Sequence, residues 1–244
     1  YTSVNNGDSW TRFTNGQVDF GSFLVDGMRL HKGVIEEPDG SLYVSAYVRY
    51  HPWPETPWRT LILKSIDKGA TWKPMLNASG VPIVVGANTD ESFLARCKDG
   101  SWLVILRQIS PTLDDHEPLL YSRSTNKGQS WSATQLLPGL AAAGSDLSID
   151  PKLILMPNGV MVLSYGRPNQ RLAFSPDGNG TSWTDMITTY TDANETWPTS
   201  ANSAIVATGH NKLIQFGDYY SATDNPNTQG IWQKEIGIMR PNLI

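Results

Sequence analysis

An octet of the form Ser-x-Asp/Asn-x-Gly-x-Ser/Thr-Trp recurs along the chain. It stands at Ser3–Trp10 (SVNNGDSW), Ser65–Trp72 (SIDKGATW), Ser124–Trp131 (STNKGQSW) and, with one inserted residue, Ser175–Trp183 (SPDGNGTSW). The tryptophans lie 62, 59 and 52 residues apart. Self-similarity at such a period means that one supersecondary unit has been copied, and each unit must bury its apolar face against the next. The octet reads as a hairpin turn: the Asp or Asn side chain accepts from turn amides, Gly takes a positive φ, and Trp packs its ring beneath the turn. Its role is structural, not catalytic.

Two further β-like runs precede each internal octet. Gly33–Glu37 and Leu42–Tyr50 lead to the second, Ser92–Cys97 and Trp102–Ile109 to the third, and Lys152–Met156 and Val160–Tyr165 to the fourth. Ser203–Ala207, Lys212–Tyr219 and Ile231–Met239 form a last set with no recognisable octet. β-Branched and aromatic residues at alternating positions, punctuated by Asp-Gly or Asn-Gly, are hairpin signals. Each unit therefore reads as a four-stranded antiparallel blade, and residues 1–244 as a single all-β domain, a β-propeller with about four blades in this chain.

Composition narrows the partners. A net charge of −4 provides no basic field, so nucleic acid is not expected, and a grip on an anionic ligand must come from a few local arginines. No apolar run is long enough to span a bilayer. Cys97 is the only cysteine, which rules out an internal disulfide and leaves it as an inert core residue. The stretch Thr112-Leu-Asp-Asp-His-Glu117 reads as a solvated acidic loop, because no familiar ligand spacing is present. Neither a metal nor a cofactor is expected. Sequons at Asn77, Asn179 and Asn194 favour a secreted or extracytoplasmic protein.

In a propeller the site lies near the central axis, where the innermost strand of each blade begins and the second strand ends. Counting back nine residues from Gly40, Gly100, Gly159 and Asn211 gives His31, Glu91, Asp150 and Asn202, all polar. Sixteen residues further on stand Tyr47, Arg107, Gly166 and Asp218, with Arg167 beside Gly166. Carboxylates beside guanidinium forks suit an anionic sugar and shift one another's proton affinities.

The octets resemble the Asp boxes, also called BNR repeats, of the sialidase superfamily, and the likeness extends along the whole chain. The run from Glu91 through Asp99-Gly100 to Arg107 is similar to that family's glutamate, Asp-Gly hairpin and arginine. The resemblance implies a six-bladed ring, of which this chain holds part, with Tyr1–Thr14 either closing the last blade or belonging to a blade that begins upstream; the upstream reading is preferred. It also implies that Glu91 assists the nucleophile and that Arg107 and Arg167 bind the substrate carboxylate. The family's tyrosine nucleophile would open the inner strand of the last unit, where Ser200-Ala-Asn-Ser203 has no phenol. The expected activity is a sialidase-like glycoside hydrolase cleaving a terminal, acidic sugar.

Two substitutes for the tyrosine stay open. His31, Glu91, Asp150 and Asp218 offer an acid and base in the inverting manner, which places carboxyl groups roughly 6.5 to 9.5 Å apart around a water. Alternatively Tyr219 or Tyr220 reaches the funnel; Tyr47 and Tyr219 are also candidate substrate contacts. The aromatic loop Tyr50–Trp58 offers rings to stack on sugar faces. Two other functions compete: a glycan-binding propeller without catalysis, and a lyase on uronic-acid glycans with His31 or a tyrosine as base.

Overall fold

The alternating runs become strands in the computed structural model, which describes residues 3–12, 16–52, 57–109, 117–140, 149–166, 169–191, 199–219 and 230–239. In the first sheet, β1 (Gln17–Val18) runs parallel to β5 (Thr71–Pro74), which is followed inward by β4 (Arg59–Ser65), β3 (Leu42–Tyr50) and β2 (Val25–Glu36). A further strand, β6 (Val84–Ala87), pairs with the end of β4 that β5 leaves uncovered. The second sheet runs β7 (Thr89–Arg96), β8 (Trp102–Gln108), β9 (Leu120–Ser124) and β10 (Gln135–Leu136). The third runs β11 (Ile149–Leu155), β12 (Met161–Gly166), β13 (Gln170–Ser175) and β14 (Thr184–Tyr190). The fourth is β15 (Ser203–Gly209), β16 (Lys212–Tyr219) and β17 (Gly230–Gly237). This last sheet has three strands among the described residues where four were expected.

The sheets stack side by side as propeller blades, with β2 beside β7, β7 beside β11 and β11 beside β15. Apolar side chains fill the spaces between them. Ile35, Tyr43, Leu94, Trp102 and Val104 join the first and second blades; Leu103, Ile105, Leu153, Leu163 and Trp183 join the second and third; Val160, Val162, Leu172 and Leu213 join the third and fourth. A middle blade is covered on both faces, which is why the β8 run Trp-Leu-Val-Ile-Leu is apolar without a break. The outer two blades keep one open face, where Leu30, Val34, Val206 and Ile231 are exposed.

The internal octets form the turns their sequence specifies. Ser65 Oγ accepts the Gly69 N–H at 2.8 Å, Asp67 accepts the N–H of Thr71 at 2.8 Å and its hydroxyl at 2.6 Å, and the Trp72 indole donates to the Gly69 carbonyl at 3.0 Å. Ser124, Asn126 and Trp131 repeat this geometry. The first octet keeps the turn, with Gly7 N–H on Ser3 Oγ at 2.8 Å, but its Trp10 is 62% exposed. The Trp10 ring still lies against its turn, with Cζ2 3.8 Å from where a Cβ on Gly7 would stand, as expected of the octet, while the rest of the ring meets solvent. Residues 3–12 form no strand of the fourth sheet among the described residues, so the closing-strand reading gains no support.

Octets and inner hairpins share one end of the propeller, and the first two inner hairpins each dock on the next blade's octet. Buried Glu37, in the β2–β3 turn, meets Arg96 at 2.5 Å and Lys127 of the third octet at 2.8 Å. Asp99 N–H, in the β7–β8 turn, donates to Asn179 Oδ1 of the fourth octet at 2.9 Å. Arg123 extends that second junction to Ser101 Oγ at 2.7 Å and to the Asn179 carbonyl. Cys97 is buried beside it, and burial pushes its thiol up, away from the reactive thiolate.

Candidate functional site

The opposite end carries the chemistry. Three inner strands break register at matching places: between Leu30 and Val34 in β2, Thr89 and Ser92 in β7, and Ile149 and Lys152 in β11. A β-bulge removes a residue from the ladder and re-aims its side chain. Here the bulges contain His31, Glu91 and Asp150. Asp150 adopts a φ of 48°, uncommon for a residue with a Cβ and a mark of strain held by its surroundings. Gly33, at φ 90°, lets β2 approach β7 so closely that a Cβ would collide with the Leu94 carbonyl oxygen.

Asp150 is the hub, only 3% exposed. Its backbone N–H donates to Glu91 Oε2 at 2.9 Å. Its carboxylate meets the Lys152 ammonium, with His31 Nε2 and Lys32 Nζ each 3.8 Å away. Arg107 Nη1, on β8, lies 3.5 Å from both Glu91 Oε1 and Asp90 Oδ2. His31 Nδ1 stands 2.9 Å from the Ser92 carbonyl, which can only accept, so Nδ1 carries the proton and Nε2 faces Asp150. Burial pushes the His31 imidazole below its ordinary range; the Asp150 charge opposes this and the Lys152 charge assists it. Tyr47 is buried with its ring 6.0 Å from His31 and 5.2 Å from Trp58. Burial raises its phenol, and a hydrogen bond with Arg29 works in the opposite direction.

Of the residues singled out by sequence, His31, Glu91, Asp150, Arg107 and Tyr47 are brought together. Asp218 is placed elsewhere: its carboxylate accepts from Thr199 Oγ1 at 2.8 Å and from the Ser200 hydroxyl, fixing the approach to β15. Tyr219 lies over Gly230 on the neighbouring strand. Asn202 is exposed, with its amide on Ser200 Oγ at 2.7 Å; it precedes β15, whose only register shift is at the far end, between Ala207 and Gly209. No bulge turns it inward. Arg167, Tyr220, Asn194, residues 53–56 of the aromatic loop and residues 112–116 of the acidic loop lie outside the described residues.

Sequence counting missed Asp90, Lys32 and Lys152. Asp90 was detectable as the second acid of a tandem at a strand mouth. Lys152 was detectable as a lysine at the head of the run Lys152–Met156, two residues after an aspartate and otherwise apolar, a position such a residue occupies only when paired. Among the described residues, no group of three or more His, Cys, Asp or Glu is placed to hold a metal ion. No helix there is long and apolar enough to cross a membrane.

No protein-family model matches the chain, and no curated protein does. Solved structures do. A protein of unknown function from Dyadobacter fermentans is 15% identical with a TM-score of 0.62, the match covering 86% of this chain and 54% of that one. A Hadza microbial sialidase is 16% identical with a TM-score of 0.60, covering 83% of this chain and 37% of that one. An α-L-arabinanase from Penicillium chrysogenum, complexed with arabinobiose, is 15% identical with a TM-score of 0.54, covering 88% and 64%. The fold is shared with β-propeller glycosidases. At these identities the likeness is one of architecture alone, and the chain spans less than two thirds of each matched protein.

Proposed function

We propose that this propeller is a glycoside hydrolase of sialidase-like type, acting on a terminal, acidic sugar at the mouth formed by β2, β7, β8 and β11. One observation carries the reading: aligned bulges in three inner strands deliver His31, Glu91 and Asp150 to one point, with Arg107 alongside. Hydrolysis requires a proton to be taken from water as its oxygen bonds to the anomeric carbon, and a proton to be given to the departing sugar oxygen. Neutral His31, with Nε2 unprotonated, fits the first task. For the second proton Glu91 must enter the step protonated on Oε1 and end it as the carboxylate, with Oε2 held by the Asp150 N–H and Arg107 Nη1 3.5 Å from Oε1 to face the charge that forms. Arg107 supplies the positive charge for a sugar carboxylate. The matched sialidase and arabinanase support glycosidase chemistry on this architecture.

The open faces of the outer blades support the companion proposal that further blades complete the ring. An extracytoplasmic setting belongs to the same reading, supported by Asn77 of the first sequon lying exposed in a turn. The exposed Asn202, where a sialidase would present a tyrosine, favours one alternative, a glycan-binding propeller without turnover.

A panel of chromogenic sialosides, uronides and neutral glycosides tests the proposal. Glu91→Gln should lower turnover by about 10²-fold or more, the usual contribution of a positioned proton-transfer group. Arg107→Ala should raise KM for carboxylated substrates and not for neutral ones. If nothing turns over while a glycan array shows binding that Arg107→Ala abolishes, the site binds glycans and the hydrolase reading fails.

A further inference from the structure

Lys152 is 2% exposed, in the middle of an inner strand whose other residues, Asp150 apart, are apolar. Its ammonium does not reach outward. It bends back two residues, donating to the Asp150 carbonyl at 2.8 Å while contacting the Asp150 carboxylate. Both contacts close on the one residue with a left-handed φ in the β11 bulge. That residue has two further links to the site, since its N–H holds Glu91 Oε2 at 2.9 Å and its carboxylate faces His31 Nε2 at 3.8 Å. A lysine spent in this way cannot reach a substrate, so its part is not catalytic.

We propose that Lys152 is a positioning residue of the site. By pinning Asp150 at both backbone and side chain it aims the N–H that holds Glu91, and by offsetting the Asp150 charge it leaves His31 as a neutral imidazole. The inference deepens the hydrolase reading but rests on the geometry of the cluster, so it can be tested without a substrate. The charged groups facing Lys152 are Asp150 on its own strand and Lys32 on β2. Those facing His31 are Asp150, Lys152 and Glu91 of β7. Burial of Lys152, partly opposed by Asp150, lowers its own proton affinity to about 8, so its charge is present through the range in which imidazole titrates.

The experiment follows the four histidines of the whole chain by NMR, with His31→Gln assigning the His31 signal. In the unaltered protein His31 should titrate below about 6.5, the ordinary imidazole value. Lys152→Met leaves the Asp150 charge unopposed, and the His31 midpoint should rise by about one pH unit, a tenfold change in proton affinity. Lys152→Arg should restore the low midpoint. Lys152→Gln keeps a donor for the Asp150 carbonyl without the charge, so it should also raise the midpoint, and it carries the test if Lys152→Met does not fold. A folded Lys152→Gln or Lys152→Met with an unmoved His31 midpoint overturns the proposal. If the midpoint moves as stated and no glycoside is cleaved, the positioning role stands and the hydrolase reading falls. If both hold, the acid limb of the turnover profile should shift upward with the midpoint.

Discussion

Gly33→Ala tests whether the bulge in β2 is needed for close contact between the first two blades. Gly33 has a φ of 90°, and a Cβ there would collide with the Leu94 carbonyl oxygen and lie 2.6 and 2.8 Å from two ring carbons of Phe93. The Leu94 oxygen is backbone in β7 and cannot swing away, so β2 must retreat from β7. Gly40→Ala is the control. Gly40 has a φ of 81° in the β2–β3 turn, and its added Cβ would meet nothing within 4 Å. Forcing an L-residue into left-handed backbone costs roughly 1–2 kcal/mol, and this applies to both variants. Overpacking adds about 1–3 kcal/mol at Gly33 alone. With a urea m-value of about 3 kcal/mol/M, the extra term lowers the unfolding midpoint of Gly33→Ala by roughly 0.3–1 M below that of Gly40→Ala. The retreat also lengthens the 2.9 Å contact between His31 Nδ1 and the Ser92 carbonyl, so the His31 tautomer seen by NMR should become mixed in Gly33→Ala and stay fixed in Gly40→Ala. Equal midpoints for the two variants, with an unchanged tautomer, would refute the argument from close approach.

Glu37→Gln should destabilise by about 1–3 kcal/mol in thermal unfolding, less than the full cost of breaking a buried pair, because Arg96 and Lys127 keep contact with solvent; an unchanged Tm would remove this ion cluster from the account of blade stacking. His31 has a depressed proton affinity in the fold, so below about pH 6.5 the unfolded chain binds more protons and stability should fall as pH drops through that value. Comparing urea midpoints at high and low pH for the parent and His31→Gln checks this, and a parent that loses no more stability than the variant contradicts it. Trp102→Ala removes a fully buried indole packed edge-on to Tyr43 at 4.7 Å and should cost about 3–5 kcal/mol, measured by urea unfolding.

The blades were legible because two local signals agree with the packing. Octet turns need Ser, Asp or Asn, Gly and Trp at fixed offsets, and inner strands need apolar residues wherever blades stack. Register counting then located the site in three units because His31, Glu91 and Asp150 sit in bulges at the same distance from their hairpin glycines. It lost the fourth unit because the offset fixes a position along the chain and not the bulge that turns a side chain inward; Asn202 has the offset without the bulge. Lys152 escaped notice for a different reason. Whether a lysine in a strand is solvated or buried depends on which neighbours approach it, and those include His31 and Lys32 of β2, 121 and 120 residues away along the chain.

Separation of the two ends of the propeller explains how so distant a sequence keeps the fold. Octets and inner hairpins lie together at one end, where Glu37 meets Lys127 and Asp99 meets Asn179, and the bulges lie at the other. Sites that share no partner contribute independently to stability, so the octet end can hold the blades while residues in the bulges change with few consequences for folding. The converse applies at the mouth. Asp150 touches residues from two other strand segments, and any substitution there alters His31, Glu91 and Lys152 together. Variation at the mouth must therefore occur in coupled sets: replacing Asp150 leaves Lys152 as an unpaired buried cation, and replacing Lys152 leaves Asp150 with less compensation for its buried charge. A chain that retains both, at the cost of burying each, is holding an arrangement of charge that the fold alone does not require.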